Sequence, residues 1–161
     1  VSLPGKTTIP SALAFQLGWE VMDADWFHPA ENVAKIESGT PLTDEDRWPW
    51  LEGIAAWIRA THQAGEHGVV ACSALKRVYR DKLRGDLGQS VRIVFLEGSR
   101  EVIGARIAHR SGHFMPATLL ASQFATLEPP TLDERPIIVS VVAEPSQIVA
   151  QIVSSIGCVS R

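Results

Sequence analysis

Two stretches of this 161-residue chain carry residue types at spacings suited to phosphate chemistry. Near the start, Gly5-Lys6-Thr7 runs into Thr8 and a helical stretch with Ala12, Leu13, Phe15 and Leu17. This order matches the end of a G-x-x-x-x-G-K-[ST] loop, where inward N–H groups and a helix N-terminus cradle phosphates. Lys6 would reach the outer phosphates and Thr7 would ligate Mg²⁺, with Gly5 and Thr8 in the cradle. Leu3 stands where many such loops have a small residue, and Pro4 removes one N–H from the cradle, because proline has no backbone donor. The motif's first glycine and its feeding strand are expected ahead of Val1.

The second stretch is Asp23-Ala24-Asp25, at the carboxyl end of a predicted strand, where open α/β sheets place ligands. Alternate residues on extended backbone point the same way, so both carboxylates could share one site. Phosphoryl transfer to an alcohol needs one acid to orient or deprotonate the hydroxyl and another to help hold Mg²⁺. A polar turn at a strand end is the alternative reading of the same residues.

The cations are clustered. Lys76 to Arg84 holds five basic residues in nine positions on a chain of net charge −3, and Lys76 and Arg80 would share a helix face. Arg47 follows the acidic run Asp44-Glu45-Asp46, and Arg106 and Arg110 also stand four apart. His62, His67 and His109 have no metal-ligand spacing with each other or with cysteine, which argues against a zinc site. Cys72 lies in a predicted buried strand with no neighbouring base and reads as core.

The elements that must position these groups follow an α/β pattern. Short β-branched runs at 20–23, 68–72, 91–96 and 136–142 alternate with helical stripes, which predicts a parallel sheet flanked by helices. Trp50, Ile54, Trp57 and Ile58 share one helix face, with Pro49 placed at the first helical position. Leu119, Leu120, Gln123, Phe124 and Leu127 form a second stripe, and Ile148, Ile152 and Ile156 a third. The length suits one domain over 1–161. A 45% hydrophobic, 20% charged composition gives no reason to expect nucleic acid or a membrane surface as partner. Two cysteines, no signal-peptide pattern and no apolar run of membrane-spanning length lead to the expectation of a cytoplasmic, reducing setting.

Several blocks then stand in a distinctive order: Asp23-Ala24-Asp25-Trp26-Phe27-His28-Pro29-Ala30-Glu31-Asn32, Cys72-Ser73-Ala74-Leu75-Lys76, Arg110-Ser111-Gly112-His113-Phe114-Met115-Pro116 and Gln123 to Pro130. Together they closely resemble the gluconokinase family, from the phosphate loop to about Pro130. The resemblance implies transfer of a phosphoryl group from ATP, with Mg²⁺, to the 6-hydroxyl of gluconate. It also implies a fold like that of the nucleoside monophosphate and shikimate kinases, with a five-stranded parallel sheet, a mobile lid at about 109–118, and a homodimer. Against the family's loop, G-V-S-G-S-G-K-S, this chain has Leu3-Pro4 in place of Gly-Ser.

With that resemblance, Asp25 is expected to accept a hydrogen bond from the acceptor hydroxyl and act as base, and Asp23 to hold Mg²⁺ beside Thr7. His28 is expected to bind a substrate hydroxyl or fix a turn. Arg47, Lys76 and Arg80 are expected to meet the substrate carboxylate, with Ser73 adding a hydroxyl contact and His113 a further one. Arg106 and Arg110 are expected in a lid that closes over ATP, Arg110 meeting the charge on the transferred group. Two alternatives stay open: a kinase for another small sugar acid, and a non-catalytic paralogue with a degenerate phosphate loop.

Overall fold

The computed structural model describes residues 8–108 and 117–157. Gly5, Lys6 and Thr7 of the phosphate loop lie outside the described residues, as do Arg110, His113 and nearly all of the lid expected at 109–118.

Helix α1 (Thr8–Leu17) leads through Gly18 into strand β1 (Glu20–Asp23). Gly18 sits at φ 69°, and the Trp19 N–H closes the helix end on the Ala14 carbonyl at 2.9 Å. After β1 come a 3₁₀ turn (Ala24–Phe27), α2 (Ala30–Glu37), the long α3 (Asp44–Gln63) and β2 (Gly68–Ala71). Next are α4 (Arg77–Arg84), a 3₁₀ stretch (Gly85–Ser90), β3 (Val94–Glu97) and α5 (Arg100–Ala108). The chain continues with α6 (Ala117–Thr126), a 3₁₀ turn (Leu132–Glu134), β4 (Ile137–Ser140) and α7 (Pro145–Gly157).

The strands form two parallel pairs. β1 runs beside β2 from Glu20↔Gly68 to Asp23↔Ala71, and β3 beside β4 from Val94↔Ile137 to Glu97↔Ser140. An apolar slot of about 340 Å³ lies between β2 and β3, lined by Val70, Ala71, Val94 and Leu96 with Ile9 and Leu13 of α1. Among the described residues there are four strands in two separate parallel pairs, where the resemblance implies one five-stranded sheet. All four predicted runs contain strands: β1 matches its run, and the others differ from theirs at one or both ends. β3 starts at Val94, after the 3₁₀ stretch, and β4 starts after Pro136, which has no N–H for the ladder.

Helix α3 departs from expectation at its start. It begins at Asp44, and Pro49 lies inside it. The reason is a capping box: the Thr43 hydroxyl accepts the Asp46 N–H while the Asp46 carboxylate accepts the Thr43 N–H. Three acidic residues in the first turn add favourable charge at the positive end of the helix dipole. This offsets the one backbone hydrogen bond that Pro49 cannot donate.

Two apolar clusters hold the layers together. Ala24, Trp50, Leu51, Ile54, Leu75 and Tyr79 pack α3 against α4 and the end of β1. Ile9, Leu13, Ile137, Val139, Ile148 and Ile152 pack α1 and α7 against β4. No helix among the described residues is long and apolar enough to cross a membrane.

Candidate active site

β1 delivers Asp23 to the carboxyl end of the sheet, and the next residues leave the strand. Asp23 caps the 3₁₀ turn, its Oδ1 accepting the Asp25 N–H at 2.9 Å. Asp25 thus lies in the turn, and its direction is set by that cap. The strand alternation expected to align the two carboxylates does not apply, because β1 stops at Asp23. The Asp25 side chain is about half exposed. The turn is anchored from below: Ala24 is fully buried and its carbonyl accepts the Trp50 indole N–H at 2.7 Å.

His28 ends the turn. Its ring stacks on Trp50 with centroids 4.4 Å apart and planes 11° from parallel. Its side chain is only 6% exposed, so the imidazole is held in one plane. Asn32, buried on α2, fixes the orientation further. Its amide nitrogen lies 2.8 Å from the Asp46 carbonyl, which can only accept, and 3.2 Å from His28 Nδ1. Nδ1 therefore accepts from Asn32, and the neutral ring carries its proton on Nε2. Nε2 lies 4.0 Å from Asp25 Oδ1. Asn32 stood in the sequence block that ends with it but was given no role; its spacing of four from His28, across a proline and into a helix, is the signal that could have assigned one.

One turn back along α3 from Trp50 stands Arg47, nearly buried. Its Nη1 donates to the Tyr79 hydroxyl at 3.1 Å, and its guanidinium lies 5.3 Å from the Tyr79 ring centre. The Tyr79 hydroxyl donates in turn to Asp44 Oδ1 through a short hydrogen bond. Lys76 Nζ meets both Asp44 oxygens at 3.0 Å. Hydrogen bonds from Tyr79 and then Lys76 hold the Asp44 carboxyl below its usual range. The Asp44 carboxylate raises Lys76, and burial, ahead of the hydrogen bond to Asp44, raises Tyr79. Neither Asp44 nor Tyr79 was singled out in sequence, since 35 residues separate them and only the fold brings them together.

The other expected residues divide. Ser73 is half-buried in the segment after β2, at the same sheet end as Asp25, since Asp23 pairs with Ala71. Thr8 is the exposed first residue of α1. Arg106 on α5 reaches the Val142 carbonyl at 3.4 Å. Arg80 does not face a ligand. It is 2% exposed, and its Nε and Nη2 donate to the two Glu134 oxygens at 2.7 and 3.0 Å. Its Nη1 donates to the Ala74 and Leu75 carbonyls, so the guanidinium is engaged within the fold. Lys76 and Arg80 diverge because Lys76 is the extended N-cap of α4 and lies outside the helical turns that would stack the two.

Among the described residues no group of three or more His, Cys, Asp or Glu side chains forms a metal cage. Mg²⁺ in a kinase takes only one or two protein ligands, with substrate phosphates and water completing its shell. Asp23 at the strand end fits that limited role.

A shikimate kinase family model matches residues 4–156. A gluconokinase of Gluconobacter oxydans is 45% identical over 153 residues, covering 95% of this chain and 85% of the relative. A probable gluconokinase of Xenopus tropicalis is 45% identical over an alignment of 166 residues, covering 94% and 87%. A gluconokinase structure from Sinorhizobium meliloti superimposes with TM-score 0.88 at 43% identity, covering 98% of this chain and 87% of that one. An unliganded sugar kinase from Janibacter sp. gives TM-score 0.89 at 47% identity, covering 96% and 88%. With a shikimate kinase domain along almost its whole length and gluconokinases as its near relatives, the chain belongs to the gluconokinase branch of the shikimate kinase family.

Proposed function

We propose that this chain transfers the γ-phosphoryl group of ATP to the 6-hydroxyl of gluconate. The observation that carries the reading is that α3 holds two polar sets one turn apart. Trp50 stacks on His28 and ties down the Ala24 carbonyl next to Asp25, while Arg47 joins Tyr79, Asp44 and Lys76. A polyol acid has the matching polarity, with a hydroxyl to be activated at one end and a carboxylate to be held at the other. Arg and Lys suit that carboxylate through charge-assisted hydrogen bonds.

In this reading the Asp25 carboxylate accepts a hydrogen bond from the 6-hydroxyl, aligns it, and takes its proton as the oxygen–phosphorus bond forms and the bond to ADP breaks. His28, with its proton fixed on Nε2 by Asn32, donates to a substrate hydroxyl near Asp25. Asp23 and Thr7 would hold Mg²⁺, which neutralises charge on the phosphates. Lys6, Gly5, Thr8, Arg106 and Arg110 are assigned to ATP, with Lys6 and Arg110 also assigned to catalysis, and Ser73 and His113 to gluconate. We assign the protein to the cytoplasm as a homodimer, an assembly that light scattering would test.

The function is tested by incubating the protein with ATP, Mg²⁺ and gluconate and following ³¹P resonances. A phosphomonoester at C6 with stoichiometric ADP is the expected result. ATP left intact in the presence of gluconate would overturn the proposal.

A further inference from the structure

We propose that Asp44 is a specificity-determining residue, which sets the acid end of the site to a single net positive charge and so matches it to a substrate bearing one carboxylate there. This inference rests on the function proposed above. Two cations, Arg47 and Lys76, converge there, and one hydrogen-bonded carboxylate stands between them. Asp44 meets Lys76 directly and Arg47 through Tyr79.

Tyr79 gives this arrangement a direction. A phenol has one proton, and here it goes to Asp44, which leaves an oxygen lone pair for Arg47 Nη1. The carboxylate of Asp44 keeps the proton on its own side and the guanidinium on the other. Tyr79 is fully buried and braced edge-on by Trp48 at 5.8 Å, so this polarity is built into the core. Asp44 and Lys76 themselves keep 41% and 29% of their side-chain surface, open to an arriving ligand. An ammonium with three donors can hold Asp44 and still turn a proton to a substrate carboxylate.

A monocarboxylate arriving here leaves the acid end neutral. A group with two negative charges leaves one in excess beside Asp44, and in this part-exposed site like charges repel more than in bulk water, though less than in a dry interior. Asp44 thus acts on selectivity through charge, without touching the reacting atoms, and is a positioning residue in that sense.

The probes are glycerate and tartronate, short hydroxy acids with one and two carboxylates, used as competitive inhibitors against gluconate. In the wild-type protein glycerate is expected to inhibit better. In D44N the ratio of inhibition constants is expected to move about tenfold toward tartronate. The double variant D44N/K76Q, which restores one net positive charge, is expected to show a lower KM for gluconate than K76Q alone. A merely structural Asp44 would make the double variant worse than the single one. An unchanged inhibitor ratio, or a double variant weaker than K76Q, would overturn the proposal. If D44N alone does not fold, the double variant, which leaves neither partner of the pair uncompensated, decides. If the wild-type protein does not turn over gluconate, the proposed function falls, and the two acids are then compared by chemical-shift titration of wild type and D44N. The same tenfold movement supports the charge role, and no binding of either acid overturns it too.

Discussion

Replacing Glu134 with Gln takes away the charge that a buried guanidinium faces. Glu134 is fully buried, and both its oxygens accept from Arg80, while Oε2 also accepts the Thr131 N–H at 2.9 Å. Breaking such a pair by removing one partner leaves an uncompensated buried charge and costs about 3–5 kcal/mol. In a domain of this length each kcal/mol lowers Tm by about 2–4 °C, so E134Q is expected to melt roughly 6–20 °C lower. The double variant R80M/E134Q removes both charges and is expected to recover much of that loss. It does not recover all, because the Ala74 and Leu75 carbonyls lose their donor, at about 1–3 kcal/mol for buried groups left unpaired. Urea unfolding followed by tryptophan fluorescence reads the stabilities, and a gluconate titration of the double variant reads its KM. KM is expected to stay within about threefold of wild type, since Arg80 is spent on the fold. E134Q within about 1 kcal/mol of wild type, or a double variant with KM raised more than about tenfold, would refute this and return Arg80 to the ligand side.

Further outcomes follow from the same geometry. D25N is expected to lower kcat by about 10²–10⁴ with a small change in KM, read from steady-state ADP release. N32A releases His28 Nδ1 and the ring's tautomer, and should lower kcat/KM for gluconate by roughly tenfold, with a stability loss of about 1–3 kcal/mol for the two hydrogen bonds to His28 and the Asp46 carbonyl. Arg80 holds the Glu134 carboxyl at about 2, against an ordinary value of 4.5. The folded value is the lower one, so this stabilisation is complete above the unfolded value and drains as pH falls from about 4.5 toward 2. Acid unfolding of E134Q should therefore be flatter across that window than that of wild type, measured by urea midpoints at stepped pH.

Much of the fold was legible because the elements are locally consistent. β1 coincides with the predicted run at 20–23, and the stripes through Trp50 and Ile148 are buried helix faces. The start of α3 was misread because Pro49 is a strong first-turn signal, whereas the Thr43–Asp46 capping box uses Asp in place of the commoner Glu or Gln. In the proposed site, Asp25, His28, Arg47 and Lys76 stood out as residue types at telling spacings. Arg80 was misassigned because the i, i+4 rule holds only when both residues are helical, and Lys76 is an extended cap with φ −99° and ψ 153°. Its true partner, Glu134, is 54 residues away in a 3₁₀ turn. The Asp44–Tyr79 contact is likewise non-local. Short-range pattern can place groups on elements, but a hydrogen bond between elements depends on how their faces meet.

The central claim is that this site phosphorylates an open-chain sugar acid, gluconate, within a family whose domain model is that of shikimate kinase. Its most direct test is kcat/KM for gluconate and for shikimate, measured on the same preparation with ATP and Mg²⁺. The account predicts turnover of gluconate that falls about 10²–10⁴-fold in D25N, and a kcat/KM for shikimate at least about a hundredfold lower than for gluconate. Equal or better turnover of shikimate, or gluconate turnover unaffected by D25N, would contradict it.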